Sequence, residues 1–337
     1  MVRVVARRLV WTMVILFAIA TITFLLERVV PANPAAFLAG QNAPAETVER
    51  IKVQYGLDKP IPVQYVTYVS GLVQGDLGVS FRTRRAVSED LIQFLPATLE
   101  LLFVSFAVYV ALSLALGIVA AQMRGRLADS VIRVTTMVGT GIPVFWLGLV
   151  LQLVFYYYLR WLPIDGRYPT RADLPEPITG FLLLDSMLRL DGSQFTNALG
   201  QLILPAAAIV LSLLAVGVRL TRAAFIEQGE RQYVRTLRGK GVRPSRILLK
   251  HVLRNALNPI ITTTGTQFGY MISWVVLVEV IFNWPGIGLY AFKSFEIFDY
   301  APVIALTLVS TVVFAIVNLA SDLLYPIVDP RVQQVSR

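Results

Sequence analysis

Apolar residues in this chain run in long blocks. Six stretches contain no Asp, Glu, Lys or Arg: residues 9–26, 101–123, 134–159, 192–218, 255–278 and 300–321, each 18 to 27 residues long. A helix rises about 1.5 Å per residue, so about 20 residues cross the roughly 30 Å of bilayer hydrocarbon. Each stretch reaches or approaches that length and predicts a transmembrane helix. The expected fold class is an all-α integral membrane protein with six spans.

The expected layout follows from these blocks. Residues 1–30 form an N-terminal tail and first span, 31–95 an external cap segment, 96–123 the second span and 134–159 the third. An external loop covers 160–191, the fourth span 192–218 and a cytoplasmic loop 219–254. The fifth span covers 255–283, an external turn 284–299, the sixth span 300–322 and a C-terminal tail 323–337. Within the cap, breakers stand at Pro31, Asn33-Pro34, Pro44, Gly56, Pro60 and Pro62. Between them, residues 44–55 place Glu46, Glu49, Arg50 and Lys52 against Val48, Ile51 and Tyr55 at helical spacing, which predicts a short helix. Residues 181–190 are expected at the membrane interface. The first span follows Arg3, Arg7 and Arg8, as a signal peptide would. Its apolar core is longer than a typical signal core, and Glu27-Arg28-Val29-Val30-Pro31 has no small-x-small cleavage site, so it is expected to remain as a span.

Composition agrees with the blocks. Of 337 residues, 56% are hydrophobic and 15% charged, and the mean hydropathy is +0.65. Soluble domains carry about 25% charged residues. A soluble enzyme, a disordered chain and a secreted disulfide scaffold are excluded as readings. The chain has no cysteine, so neither a disulfide nor a thiolate metal site can form.

Charge sets the expected orientation. With both termini cytoplasmic, the inner segments hold 18 Lys/Arg against the five acids Asp129, Glu227, Glu230, Asp322 and Asp329, a net of +13. The remaining 12 basic and 16 acidic residues sum to −4. This is the positive-inside bias, and it accounts for the overall +9 without nucleic acid.

Catalytic chemistry is missing from the sequence. There is no G-x-x-x-x-G-K-[ST] and no G-x-S-x-G, and the single histidine, His251, has no second imidazole for a metal or a triad. No catalytic residue and no metal ligand is assigned. Mid-span acids, the usual relay of proton-coupled carriers, are absent away from the span edges. An intramembrane enzyme is disfavoured. An ion-coupled carrier or channel is the alternative to a transporter driven from outside the chain.

Breakers interrupt the later spans: Gly139, Gly141 and Pro143 in the third, Pro205 in the fourth, Pro259, Gly265 and Gly269 in the fifth. They predict either kinks with close helix packing or irregular backbone lining a watery path. Thr262, Thr266, Gly269 and Ser273 share a helical face, which fits a pathway lining and an interhelical contact equally. In the basic loop, Tyr233, Val234 and Leu237 fall on one side of a helix and Arg231, Arg235 and Arg238 on another. Gly239 and Gly241 end that helix and Pro244 follows. An apolar knob with a cationic rim suits a groove on a soluble partner or an anionic lipid surface.

This loop resembles a family. Tyr233-Val234-Arg235-Thr236-Leu237-Arg238-Gly239-Lys240-Gly241, followed by Arg254-Asn255-Ala256-Leu257-Asn258-Pro259, is similar to the coupling-loop signature of ABC-transporter permeases, specifically the first (B-type) permease of the dipeptide/oligopeptide/nickel branch. Further matches are Gly56-Leu57-Asp58-x-Pro60, Gly75-Asp76-Leu77-Gly78-Val79-Ser80, Pro96-Ala97-Thr98-Leu99-Glu100-Leu101, Pro143-x-Phe145-Trp146-Leu147-Gly148, Leu204-Pro205, Glu279-Val280-Ile281-Phe282-x-x-Pro285-Gly286-x-Gly288 and Asp329-Pro330-Arg331. Leu237 and Gly239 depart from the family, which usually has Ala at both places. The resemblance implies a type I importer-like permease subunit of a bacterial inner membrane, paired with a second homologous permease. Two cytoplasmic ATPase subunits would carry ATP and Mg, and an external binding protein would deliver peptide. It implies that Tyr233, Val234, Arg235, Thr236, Leu237, Arg238, Lys240 and Gly241 contact the ATPase. Glu279, Asn283, Trp284, Pro285 and Gly286 would form an external gate or receptor contact, or simply a tight reversal. No cofactor is expected on this chain itself.

Overall fold

The structure is a computed structural model that describes residues 2–28, 44–54, 56–80, 82–164, 166–168, 176–297 and 299–328, without the side chains of 2–5, 7–9, 26–28, 51, 54 and 321–328. Expectations placed on Arg3, Arg7, Arg8, residues 27–34, Tyr55, Asp322 and residues 329–337 therefore lie outside the described residues or side chains. Among the described residues the regular elements are helices. They are α1 (Val2–Arg28), α2 (Ala45–Gln54), α3 (Ile61–Val73), α4 (Val87–Gln122), α5 (Leu127–Thr140), α6 (Val144–Tyr158), α7 (Leu182–Leu188), α8 (Gly192–Glu230), α9 (Gln232–Gly239), α10 (Pro244–Ile281), α11 (Ile287–Phe295) and α12 (Tyr300–Val328).

Four of these helices, α4, α8, α10 and α12, are long and apolar enough to cross a membrane by themselves. The α5–α6 pair qualifies jointly, and α1 contributes the shorter apolar stretch Val10–Leu25. These helices occupy all six charge-free blocks, but their ends differ from the block ends. Helix α4 starts at Val87 instead of 96 with Glu89 and Asp90 in its first turn, where the helix dipole favours acids. Helix α8 runs on to Glu230 and α10 begins at Pro244. Charge-free blocks mark the apolar part of a helix, and Arg, Lys and Glu are good helix formers that extend it beyond.

The apolar block 134–159, expected as the third span, is not one rod. Its halves, α5 and α6, meet at 105°. The last α5 bond runs from the Gly141 N–H to the Met137 carbonyl, and Pro143 leads into α6 in extended backbone with ψ 138°. A residue before proline avoids the helical region, so the chain leaves the helix there. Pro96, Pro205 and Pro259 lie inside continuous helices. The carboxy-terminal half of α6, Gln152–Tyr158, widens into a π-helix.

Two compact units are present, residues 1–93 with 290–313 and residues 94–289 with 314–337. In the first, Phe24 of α1 packs on the rings of Tyr65 and Tyr68 of α3 at 5.2 and 5.6 Å. The Gly75–Arg85 loop is pinned by polar contacts: the Ser80 hydroxyl donates to Asp299 (2.6 Å), and Arg82 lies over the Tyr290 ring (5.0 Å). Tyr290 and Thr83 both donate to Asp90 (2.6 and 2.5 Å).

The second unit is built around α8. Of its most apolar window 78% is buried, against 28% for α4 and 11% for α12. Small residues let neighbours approach closely. A Cβ added to Gly217 would sit 2.2 Å from the Ser113 Oγ of α4, and one on Gly139 of α5 would sit 2.4 Å from the Leu211 carbonyl oxygen of α8. The second obstacle is backbone and cannot rotate away. Gly139→Ala is therefore expected to destabilise the chain by about 1–3 kcal/mol, seen as a lower Tm in detergent. Gly229→Ala, in α8 and facing open space, is expected to leave Tm unchanged or raise it.

Candidate functional site

The loop after α8 folds into a small helical element. The chain leaves α8 at Arg231 in extended backbone (ψ 150°) and turns into α9. Helix α9 ends where expected from its glycines: Gly241 has φ +73°, and the Val242 N–H closes back on the Leu237 carbonyl at 3.1 Å. Val234 is 1% exposed and joins a core with Ala224, Phe225, Ile247, Val252, Ala256 and Ile260, and Tyr233 and Leu237 pack against the same core. Arg235, Thr236, Arg238, Lys240 and Gly241 are exposed.

The apolar side, which suits a partner's groove or an anionic lipid surface, packs on its own chain, with Val234 buried and Tyr233 and Leu237 half-buried. The short tether from α8 and the apolar side of the π segment Ile247–Val252 supply a nearer partner for it. What α9 presents outward is the cationic rim. Its support is braced by ion pairs that the sequence did not reveal. Arg222 holds Asp129 by two bonds of 2.7 and 2.8 Å, and Arg124 reaches Glu230 at 2.5 Å. A cleft of about 310 Å³ opens beside α9, with Arg124, Glu230 and Arg238 among its polar lining and Val234, Ile247 and Val252 among its apolar lining.

At the opposite end of the second unit, the Glu279–Gly288 motif forms a buried turn. Glu279 is fully buried; its Oε1 accepts from the Thr98 hydroxyl (2.6 Å) and its Oε2 from the Leu289 N–H (3.0 Å). The Thr98 oxygen also accepts from the Ile287 N–H (2.8 Å). Trp284, fully buried, donates its indole N–H to the Ala97 carbonyl (2.9 Å) and its amide to the Glu279 carbonyl (2.8 Å). Gly286 packs too closely for a side chain as the turn stands, since a Cβ there would lie 2.2 Å from the Glu279 carboxylate. Of the residues expected to form an external gate or receptor contact, Glu279, Trp284 and Gly286 are buried, Pro285 is half-buried, and Asn283 alone is exposed, with φ +46°.

The same stretch of α4 anchors the segment between α6 and α8. Glu100 and Arg167 form an ion pair with side chains 3% and 5% exposed, the Arg167 Nε donating at 2.9 Å. Glu100 also accepts from the Leu183 N–H (2.7 Å), and Arg167 donates to the Gly180 carbonyl (2.7 Å). Asp185 of α7 gathers the N–H groups of Ile178, Thr179 and Gly180 and the Thr179 hydroxyl. Burial pushes the Asp185 carboxyl up, but these donors outweigh it and hold the group below the usual carboxylate range. Thr98 and Glu100 sit in the Pro96–Leu101 motif, whereas nothing in the sequence marked Arg167.

The face expected to line a pathway divides. Thr262, Thr266 and Ser273 are exposed along α10. Gly269 is half-buried under Phe314, whose ring would lie 2.5 Å from an added Cβ, so its smallness serves helix packing.

Two outcomes follow from these buried charges. Arg167→Met leaves Glu100 buried and unpaired and is expected to cost roughly 3–5 kcal/mol of stability; replacing both partners by apolar residues is expected to recover most of it. For Asp185 the unfolded chain takes up a proton first as pH falls, since its carboxyl has the ordinary pKa of about 3.9. The stabilisation is thus complete above about pH 4 and lost as pH drops through the lower folded pKa. Asp185→Asn is expected to flatten that acid limb in Tm measured against pH.

Comparison with known proteins places this architecture. Residues 113–334 match the family described as binding-protein-dependent transport system inner membrane component, and residues 1–102 match its N-terminal companion model. The chain is 40% identical over 97% of both chains to the probable D,D-dipeptide transport system permease protein DdpB of Escherichia coli K12. It is 38% identical over 98% of both chains to the di/tripeptide transport system permease protein DppB of Pseudomonas aeruginosa UCBPP-PA14. Among solved structures, an inward-facing form of the MetNI methionine ABC transporter superposes with a TM-score of 0.52 at 13% identity, covering 71% of this chain and 95% of that one; this likeness concerns the fold. Sequence matches across nearly its full length, on a helical membrane architecture, make the chain a member of the binding-protein-dependent transport system inner membrane component family.

Proposed function

We propose that this chain is one of two membrane-spanning subunits of an ATP-driven importer of short peptides. The observation that carries the reading is α9, a short helix held by its apolar side in its own chain with Arg235, Arg238 and Lys240 free to meet a partner. The dipeptide and di/tripeptide names of the relatives support the substrate class. The charge balance of +13 against −4 supports cytoplasmic termini and a cytoplasmic α9. Two ATPase subunits, carrying ATP and Mg, dock on the cationic rim of α9 through an acidic surface. An external binding protein delivers peptide on the cap side. A second, homologous permease covers the exposed Thr262, Thr266 and Ser273 face of α10, and the two alternate between inward- and outward-open states.

In this reading α9 acts as a lever. Its contacts with Phe225 of α8 and Val252 of α10 carry movement of the ATPases into two spans at once. No step requires a catalytic group on this chain, since hydrolysis belongs to the partner.

The test separates docking from folding. Arg235→Glu with Arg238→Glu is expected to leave the Tm of the chain unchanged and to reduce both ATPase co-purification and peptide uptake at least about tenfold, as like-charge contact at an interface does. Val234→Asp buries an unpaired charge and is expected to lower the Tm itself by several degrees. Recovery of the unsubstituted chain without ATPase subunits, with uptake that collapses under a protonophore at constant ATP, would identify an ion-coupled carrier instead.

A further inference from the structure

We propose that Glu279 fastens the external ends of α4 and α10 into one body that stays closed throughout the transport cycle, so that the Pro285-Gly286 turn is a clamp and the moving gate lies elsewhere. Opening would expose groups that the closed turn satisfies. Both carboxylate oxygens of Glu279 are engaged, one by the hydroxyl of Thr98 and the other by the amide of Leu289. Thr98 donates to the carboxylate and accepts from Ile287 through the same oxygen, so withdrawing α4 breaks both bonds together. The Trp284 indole would lose the Ala97 carbonyl in the same movement.

Separation would thus leave one carboxylate oxygen of Glu279, the Thr98 hydroxyl, the Trp284 indole N–H and the Ile287 N–H without their partners at the edge of an apolar bundle, Leu289 alone still holding the other oxygen. Each orphaned group costs about 1–3 kcal/mol, and a charged one more. An element that must open and close in every cycle has to interconvert between states of similar free energy, and this one does not. Steric fit points the same way. Added Cβ atoms on Gly286 and Gly288 would meet the Glu279 carboxylate at 2.2 and 2.7 Å, so the turn packs directly against the carboxylate. Helix α6 adds to the clamp: the Gln152 side chain donates to the Ile281 carbonyl (3.1 Å), and Gly148 lies against Phe282.

The chain has no native cysteine, so labels can be placed without background. Phe103→Cys on α4 and Leu277→Cys on α10 are both at exposed positions outside the clamp. With spin labels there, in the complex with ATPase subunits, the inter-label distance distribution is expected to be the same without nucleotide and with ATP trapped. A shift between those states means that the clamp opens, and the proposal is overturned.

Thr98→Val keeps the shape and removes the hydroxyl. It is expected to speed amide hydrogen exchange at Ile287 and Leu289 about tenfold, the worth of one charge-assisted hydrogen bond. Maximal dipeptide uptake is expected to fall by a similar factor while the half-saturating peptide concentration stays fixed, and Thr98→Ser is expected to restore both. Exchange in Thr98→Val equal to that of the unsubstituted chain would overturn the clamp. The inference rests on the transport reading only for the states compared. Amide exchange on the full chain in detergent reads the clamp alone, whereas failure of the transport reading appears as uptake indifferent to ATP.

Discussion

Polar groups inside an apolar bundle must find partners within the protein, because hydrocarbon supplies none. In the second compact unit that requirement converges on four residues of α4, Ala97 to Glu100. The Ala97 carbonyl takes the Trp284 indole, Thr98 takes Glu279 and Ile287, and Glu100 takes Arg167 and Leu183. One helical turn thereby holds the end of α10, the reversal after it and the segment between α6 and α8. The surrounding apolar contacts are interchangeable to a degree that these are not. Loss of any one partner strands a buried donor, acceptor or charge.

The α9 end of the same unit obeys a different logic. Apart from buried Asp129 and its partner Arg222, most of its charged side chains are exposed, so apolar packing decides which way each side chain of α9 turns. Helix α9 is too short to stand alone and gains its stability by burying Val234 against α8 and the π segment of α10. Its arginines are left outside by the same packing. The consequence for the proposed mechanism is that recognition of a partner is electrostatic, while transmission of force into the spans is apolar. Substitutions at the two faces of one eight-residue helix therefore have separable effects.

Much of the architecture is legible from the residues alone. Charge-free blocks locate the apolar helices because the cost of a bare charge in hydrocarbon leaves a plain imprint on composition. Gly239, Gly241 and Pro244 mark the end of α9 because positive φ and proline are local requirements. Gly141-x-Pro143 announces a break, yet its angle of 105° follows from how α5 and α6 pack on α8 and has no local signature. The clamp was half visible. Glu279, Trp284 and Gly286 stood out as a motif, but exposure and burial were equally compatible with it until Thr98, 181 residues away, closed on the carboxylate.

What the sequence by itself determined is the membrane environment, the number of apolar blocks, the sidedness expected from charge and the family, all of which rest on local composition and order. Only the tertiary structure decided which side of α9 faces outward, that the Glu279 turn is sealed, and that Gly269 serves packing. Each of these depends on what lies opposite a residue in space: the Phe225–Val252 core for α9, Thr98 for Glu279, Phe314 for Gly269. Such pairings join residues far apart along the chain, and spacing within a segment carries no record of them.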